Sequence, residues 1–71
     1  MKHFYFNVDK SIKEVENIEK TTKFLEVTTS EGSVLKININ HFEKYKTQYG
    51  IKGNFMIKVN VNNKMISLAK I

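Results

Sequence analysis

Two histidines, a group of glutamates on one short segment and a glycine-lysine stretch are the features of this chain whose types and spacing could do chemistry. His3 and His41 are far apart, and there is no cysteine. A metal site would need both rings to meet beside a carboxylate such as Glu43, whereas an isolated outer-face His is usually just solvated. Nucleophilic catalysis would need a Ser or Thr with a His base and an orienting acid, and none of these sits in a recognisable elbow. Glu14, Glu16 and Glu19 are explained by a helix start and a wet face. Gly50-Ile51-Lys52-Gly53 invites comparison with a phosphate loop, but it lacks the length and the Lys-Ser or Lys-Thr ending, and it precedes a strand. The sequence therefore predicts no catalytic residue, no metal ligand and no cofactor, and the expectation is that the protein is not an enzyme.

Charge offers a different chemistry. The formal net charge is +5, from twelve basic residues that are all Lys. Residues 1 to 43 carry six Lys against seven acids, while residues 44 to 71 carry six Lys and no acid. A basic end of this kind fits a polyanion, with Lys44, Lys46, Lys52, Lys58 and Lys64 as contacts and Tyr45 or Tyr49 as a stacking platform. Arg, which reads guanine and clamps phosphate in bidentate geometry, is absent, so base-specific recognition is disfavoured.

The elements that must position these residues fit into one domain, residues 1–71. A chain this short buries only about 60% of the surface its unfolded form exposes. The apolar run Phe4–Phe6 is too short for a signal peptide, and no stretch reaches the length of a membrane span; the expected location is the cytoplasm. In His3 to Val8, Phe4, Phe6 and Val8 alternate with His3, Tyr5 and Asn7, the period of a half-buried strand. Ser11-Ile12-Lys13-Glu14 is a capping box, which predicts a short helix to about Lys20 with Ile12, Val15 and Ile18 as a narrow apolar stripe.

Strands follow at about Lys23 to Thr29 and Ser33 to Ile39. A three-residue loop, Ser30-Glu31-Gly32, pairs Val27 with Leu35 and Leu25 with Ile37, keeps the apolar faces together and sets Glu26 opposite Lys36. Asn40 is read as the cap of a second helix, His41 to about Tyr49, with Gly50 as its stop and with Phe42, Tyr45 and Tyr49 as an aromatic face. The last hairpin is expected to pair Asn54–Val61 with Lys64–Ile71 through an Asn62-Asn63 turn, setting Val59 against Ile66 and Ile57 against Leu68. On its other face Asn60 meets Met65, Lys58 meets Ser67 and Met56 meets Ala69. The fold class is α+β with element order βαββαββ, a mostly antiparallel sheet carrying two short helices on one face.

Gly50-Ile51-Lys52-Gly53-Asn54-Phe55 and Asn62-Asn63-Lys64-Met65-Ile66-Ser67-Leu68, with Glu31-Gly32 upstream, resemble a small family of bacterial, mostly gammaproteobacterial, proteins, domain of unknown function 2835. The likeness runs without a gap from Gly32 to Ile71. The chain departs from the family at Lys36-Ile37-Asn38-Ile39, where Gln-Phe-Pro-Ala is usual, and at Phe42-Glu43-Lys44-Tyr45, where Leu-Arg-Pro-Phe is usual. It departs again at Asn54, commonly Arg. The resemblance implies a compact stand-alone bacterial domain and brings no assigned activity. Two functions remain in competition. One is a protein-binding module, with self-pairing among its forms, using Met56, Met65, Ala69 and Ile71; the other is weak, sequence-independent nucleic-acid binding through the lysines.

Overall fold

A computed structural model describes residues 2–62 and 64–71 as five strands, an α-helix and a 3-10 helix. β1 (Lys2–Ser11) buries Phe4, Phe6 and Val8 and turns the intervening residues outward, as the alternation requires. Ser11 then caps α1 (Ile12–Lys20). Its hydroxyl accepts from the Glu14 backbone N–H at 3.3 Å, and the Ser11 N–H donates to the Glu14 carboxylate at 3.2 Å. Of the narrow apolar stripe only Val15 is fully buried, with Ile18 packed at the core margin. That is what a three-residue spacing on a nine-residue helix provides.

β2 (Phe24–Thr28) and β3 (Val34–Asn38) form a hairpin in the expected register, with Val27 opposite Leu35, Leu25 opposite Ile37 and Glu26 opposite Lys36. Gly32 holds φ +89°, the left-handed conformation its place in the loop demands. Glu26 and Lys36 face each other but form no ion pair. The register is set by the apolar faces, with no help from a charge contact.

The second helix differs from the expectation. It is a 3-10 helix, Ile39–Tyr45, whose cap is Asn38, with the side-chain oxygen accepting from the Asn40 N–H at 2.9 Å. Tyr49 is outside it, and Gly50 opens the next strand instead of stopping a helix. The cause is a tight reversal: Thr47 and Gly50 exchange backbone hydrogen bonds at 2.9 and 3.0 Å. Gly50 has φ +113°, and a Cβ there would lie 2.0 Å from the Lys10 carbonyl oxygen.

β4 (Gly50–Val59) pairs with β1 along its whole length, from Ser11 opposite Gly50 to Lys2 opposite Val59. β5 (Met65–Lys70) flanks it on the other side. Ile57–Leu68, Lys58–Ser67 and Met56–Ala69 pair as expected, but Val59 faces Met65 and not Ile66. The chain reverses between Asn60 and Lys64, joined by the Asn60 N–H and Lys64 C=O at 2.9 Å, and an irregularity beside Val59 restores the register by making Ile66 an extra residue. Asn63, half of the expected turn, lies outside the described residues.

The strands build two antiparallel sheets rather than one: β1-β4-β5 and β2-β3. They are stitched at one corner by a Phe6–Thr29 bridge and by the Ser30 N–H donating to the Tyr5 carbonyl at 2.9 Å. Between them lies a core centred on Phe55, whose ring stacks on Phe6 at 5.9 Å and meets Phe42 and Tyr45 edge-on at 5.3 Å each. Such pairs add about 0.5–1.5 kcal/mol each beyond area burial.

Candidate interaction surface

Inward residues of β1 and β4 fill the core, so their alternates form an outer face. Reading across β1, β4 and β5, the face is ruled into rows: His3, Lys58 and Ser67; Tyr5, Met56 and Ala69; Asn7, Asn54 and Ile71. Neither helix covers it, because α1 packs on β4, β1, β2 and the 3-10 helix from the core side, where Val15 is buried. The middle row is apolar. Tyr5 is half exposed, and Met56 and Ala69 are partly exposed. In the third row the Asn7 amide donates to the Asn54 side-chain oxygen at 3.0 Å and to the Gly53 carbonyl at 3.2 Å, which ties the two strands at the edge of the apolar row. Farther along, Asp9 and Lys52 form an exposed ion pair at 3.6 Å.

Of the four expected contact residues, Met56 and Ala69 sit side by side here, and Ile71 ends the neighbouring row with 72% of its surface exposed. Met65 is a correction: the slipped pairing turns it against the core beside Val59, and Ile66 takes the exposed place. Tyr5 is the member the sequence reading left out. Its outward direction was plain from the alternation of β1, but its place beside Met56 depends on the β1–β4 register.

The lysines scatter. Lys46 reaches back to Glu19 on α1 at 3.1 Å, and Lys52 is paired with Asp9. The Lys44 ammonium lies over the Tyr45 ring, 5.3 Å from its centre. Lys58 stands on the outer face, and Lys64 is exposed beyond the end of β4. Lys52 and Lys58 are six residues apart on one strand, roughly 20 Å at the rise of a strand. Tyr45 is engaged: its ring packs on Phe55 and its hydroxyl donates to the Leu68 carbonyl at 3.2 Å. Tyr49 alone of the two stands free, at 69% exposure.

Polar chemistry is sparse elsewhere. His3 lies on the outer face opposite Lys58 and His41 on the 3-10 helix. Among the described residues no group of three His, Cys, Asp or Glu is placed to hold a metal ion. The Glu14 carboxyl is held below its usual range, by the Ser11 backbone N–H first, then the Ser11 hydroxyl and the Lys10 charge. It belongs to the helix cap. No helix among the described residues is long and apolar enough to cross a membrane.

Fold and surface together define a small α+β domain with a two-sheet core, an uncovered mixed face and no assembled set of reactive groups among the described residues. Residues 2–71 match the family described as Protein of unknown function (DUF2835), and the chain belongs to that family. Membership carries no named activity. No curated protein and no solved structure matches the chain.

Proposed function

We propose that this domain is a non-catalytic binding module whose outer sheet face contacts another protein surface, in the first instance a second copy of itself. The observation that carries the reading is the apolar row Tyr5-Met56-Ala69, running across all three strands and open to solvent. Sheets pack face to face at about 10 Å through such rows. A two-fold axis through Met56, lying across the strands, sets the His3-Lys58 end of one copy over the Asn7-Asn54 end of the other. No like charges then meet, and the patch is complementary to itself.

Sedimentation velocity across the micromolar range tests this. A reversible dimer is expected, and Met56→Asp should return it to monomer without loss of secondary structure. A chain that stays monomeric at ~100 µM, or a dimer indifferent to Met56→Asp, removes the proposal. Nucleic-acid binding has less support, since two of its five lysines are paired with acids and one of its two tyrosines is packed.

A further inference from the structure

A second surface, away from the outer face, has the chemistry of a strand receptor. Among the described residues β3 is hydrogen-bonded as a strand only on its β2 side. The Thr29 N–H donates to the Ser33 carbonyl and the Ile39 N–H to the Lys23 carbonyl. In the alternation of an antiparallel ladder this aims the backbone groups of Leu35 and Ile37 into the hairpin, and those of Val34 and Lys36 away from it. Among the described residues neither Val34 nor Lys36 has a backbone bond to any further element. An edge of this kind is a template for an extended chain.

Beside the free edge lies a groove of about 280 Å³, lined by Leu35 and Ile37 of β3 together with Ile57, Val59 and Met65 of the other sheet. That volume is at the small end for a ligand site and accommodates a side chain or two. A symmetric edge-to-edge pairing of two copies centred on this strand would bring Lys36 close to its own counterpart, which like charge disfavours. Lys36 is the charged residue of the lining, which contains no carboxylate, and Glu26 across the hairpin forms no ion pair with it.

We propose that β3 receives an extended segment of a partner protein by strand addition, its backbone pairing with Val34 and Lys36. The segment places alternate apolar side chains in the groove and an acidic residue within reach of Lys36. Main-chain bonds supply the affinity in this mode, and the groove and the charge supply the selectivity.

The test is selection from a phage-displayed random peptide library on the full chain, followed by titration with a synthetic copy of the enriched peptide. Enriched sequences should alternate apolar residues with an Asp or Glu, and the peptide should shift the amide resonances of Val34 to Asn38. Lys36→Pro deletes an outward N–H that the fold does not use and should weaken binding about tenfold or more. Lys36→Glu, which retains the N–H, should weaken it by a similar factor and reverse the charge preference; it decides the matter if the Pro variant fails to fold. Met56→Asp should bind the peptide normally, which separates this proposal from the outer-face dimer. The proposal is overturned by a library that yields no enrichment, by enriched peptides without acids, or by shifts confined to Tyr5, Met56 and Ala69. Self-association abolished by Lys36→Glu also overturns it, since the occupant would then be a second copy.

Discussion

At the scale of single residues, the three glycines with positive φ have unequal reasons to be glycine. Gly32 holds φ +89° with open space around it, so Gly32→Ala costs only the left-handed penalty, roughly 1–2 kcal/mol. Gly50 sits at φ +113° with the backbone of Lys10, Ser11 and Ile12 within 2.8 Å of where a Cβ would stand. Backbone cannot step aside as a side-chain end can, so Gly50→Ala should cost ~4 kcal/mol or more, in the range that unfolds a small domain. Urea denaturation of the two variants checks the ordering; equal losses would show that β4 can shift at its start. Ser11 and Glu14 carry a second residue-scale effect. Ser11→Ala removes an N-cap and should cost ~0.5–2 kcal/mol at neutral pH. Because the folded cap lowers the Glu14 carboxyl, its stabilisation is present above the unfolded value and is lost as pH falls through the folded one. The difference between wild type and Glu14→Gln should therefore be full at pH 7 and shrink as pH falls below the ordinary glutamate value of about 4.5, measured by thermal melts across that range.

At the scale of elements, what the sequence could and could not disclose divides along one line. The β2-β3 hairpin was legible because its apolar residues alternate on both strands and one loop length alone keeps Leu25, Val27, Leu35 and Ile37 together. The helix cap was legible because its donors and acceptors are all local. Where the outcome depends on distant backbone, local reading failed. The 3-10 helix ends at Tyr45 because Thr47 and Gly50 close a turn that delivers Gly50 beneath Lys10, and nothing near Tyr49 announces that partner. The last hairpin slipped because the Asn60 side chain takes hydrogen bonds from the N–H groups of Asn62 and Lys64, at 2.9 and 3.0 Å. That reversal is one residue wider than a two-residue turn, and the extra residue at Ile66 absorbs the change. Met65 was misplaced on that account, while Met56 and Ala69, beyond the irregularity, were placed correctly. The 3-10 helix also holds the far edge of the sheet, through the Tyr45 hydroxyl on the Leu68 carbonyl. Tyr45→Phe retains the packing on Phe55 and loses that bond, a cost of ~0.5–1.5 kcal/mol. Amide exchange should quicken in β5 more than in β1 or β2; uniform quickening would mean that the hydroxyl acts on the whole core.

For the whole molecule, size and surface bear on the same question. The folded chain exposes 4960 Å², somewhat more than the ~4,600 Å² that a compact monomer of 8.3 kDa follows on average. With two sheets joined at one corner, no disulfide and a single aromatic cluster centred on Phe55, the monomer has few reserves. If the outer face pairs two copies, part of the stability comes from association and must depend on concentration. Once the dimer dominates, a hundredfold rise in protein concentration stabilises each protomer by about 1.4 kcal/mol, which corresponds to a Tm increase of ~6–11 °C for a domain of this size. Calorimetry on the intact chain at two concentrations reads the shift directly. The Met56→Asp chain should melt at one temperature throughout, near that of the dilute parent, because the Met56 side chain faces outward and its loss leaves the Phe55 cluster untouched. A parent Tm independent of concentration would mean that the Tyr5-Met56-Ala69 row stabilises nothing by self-pairing.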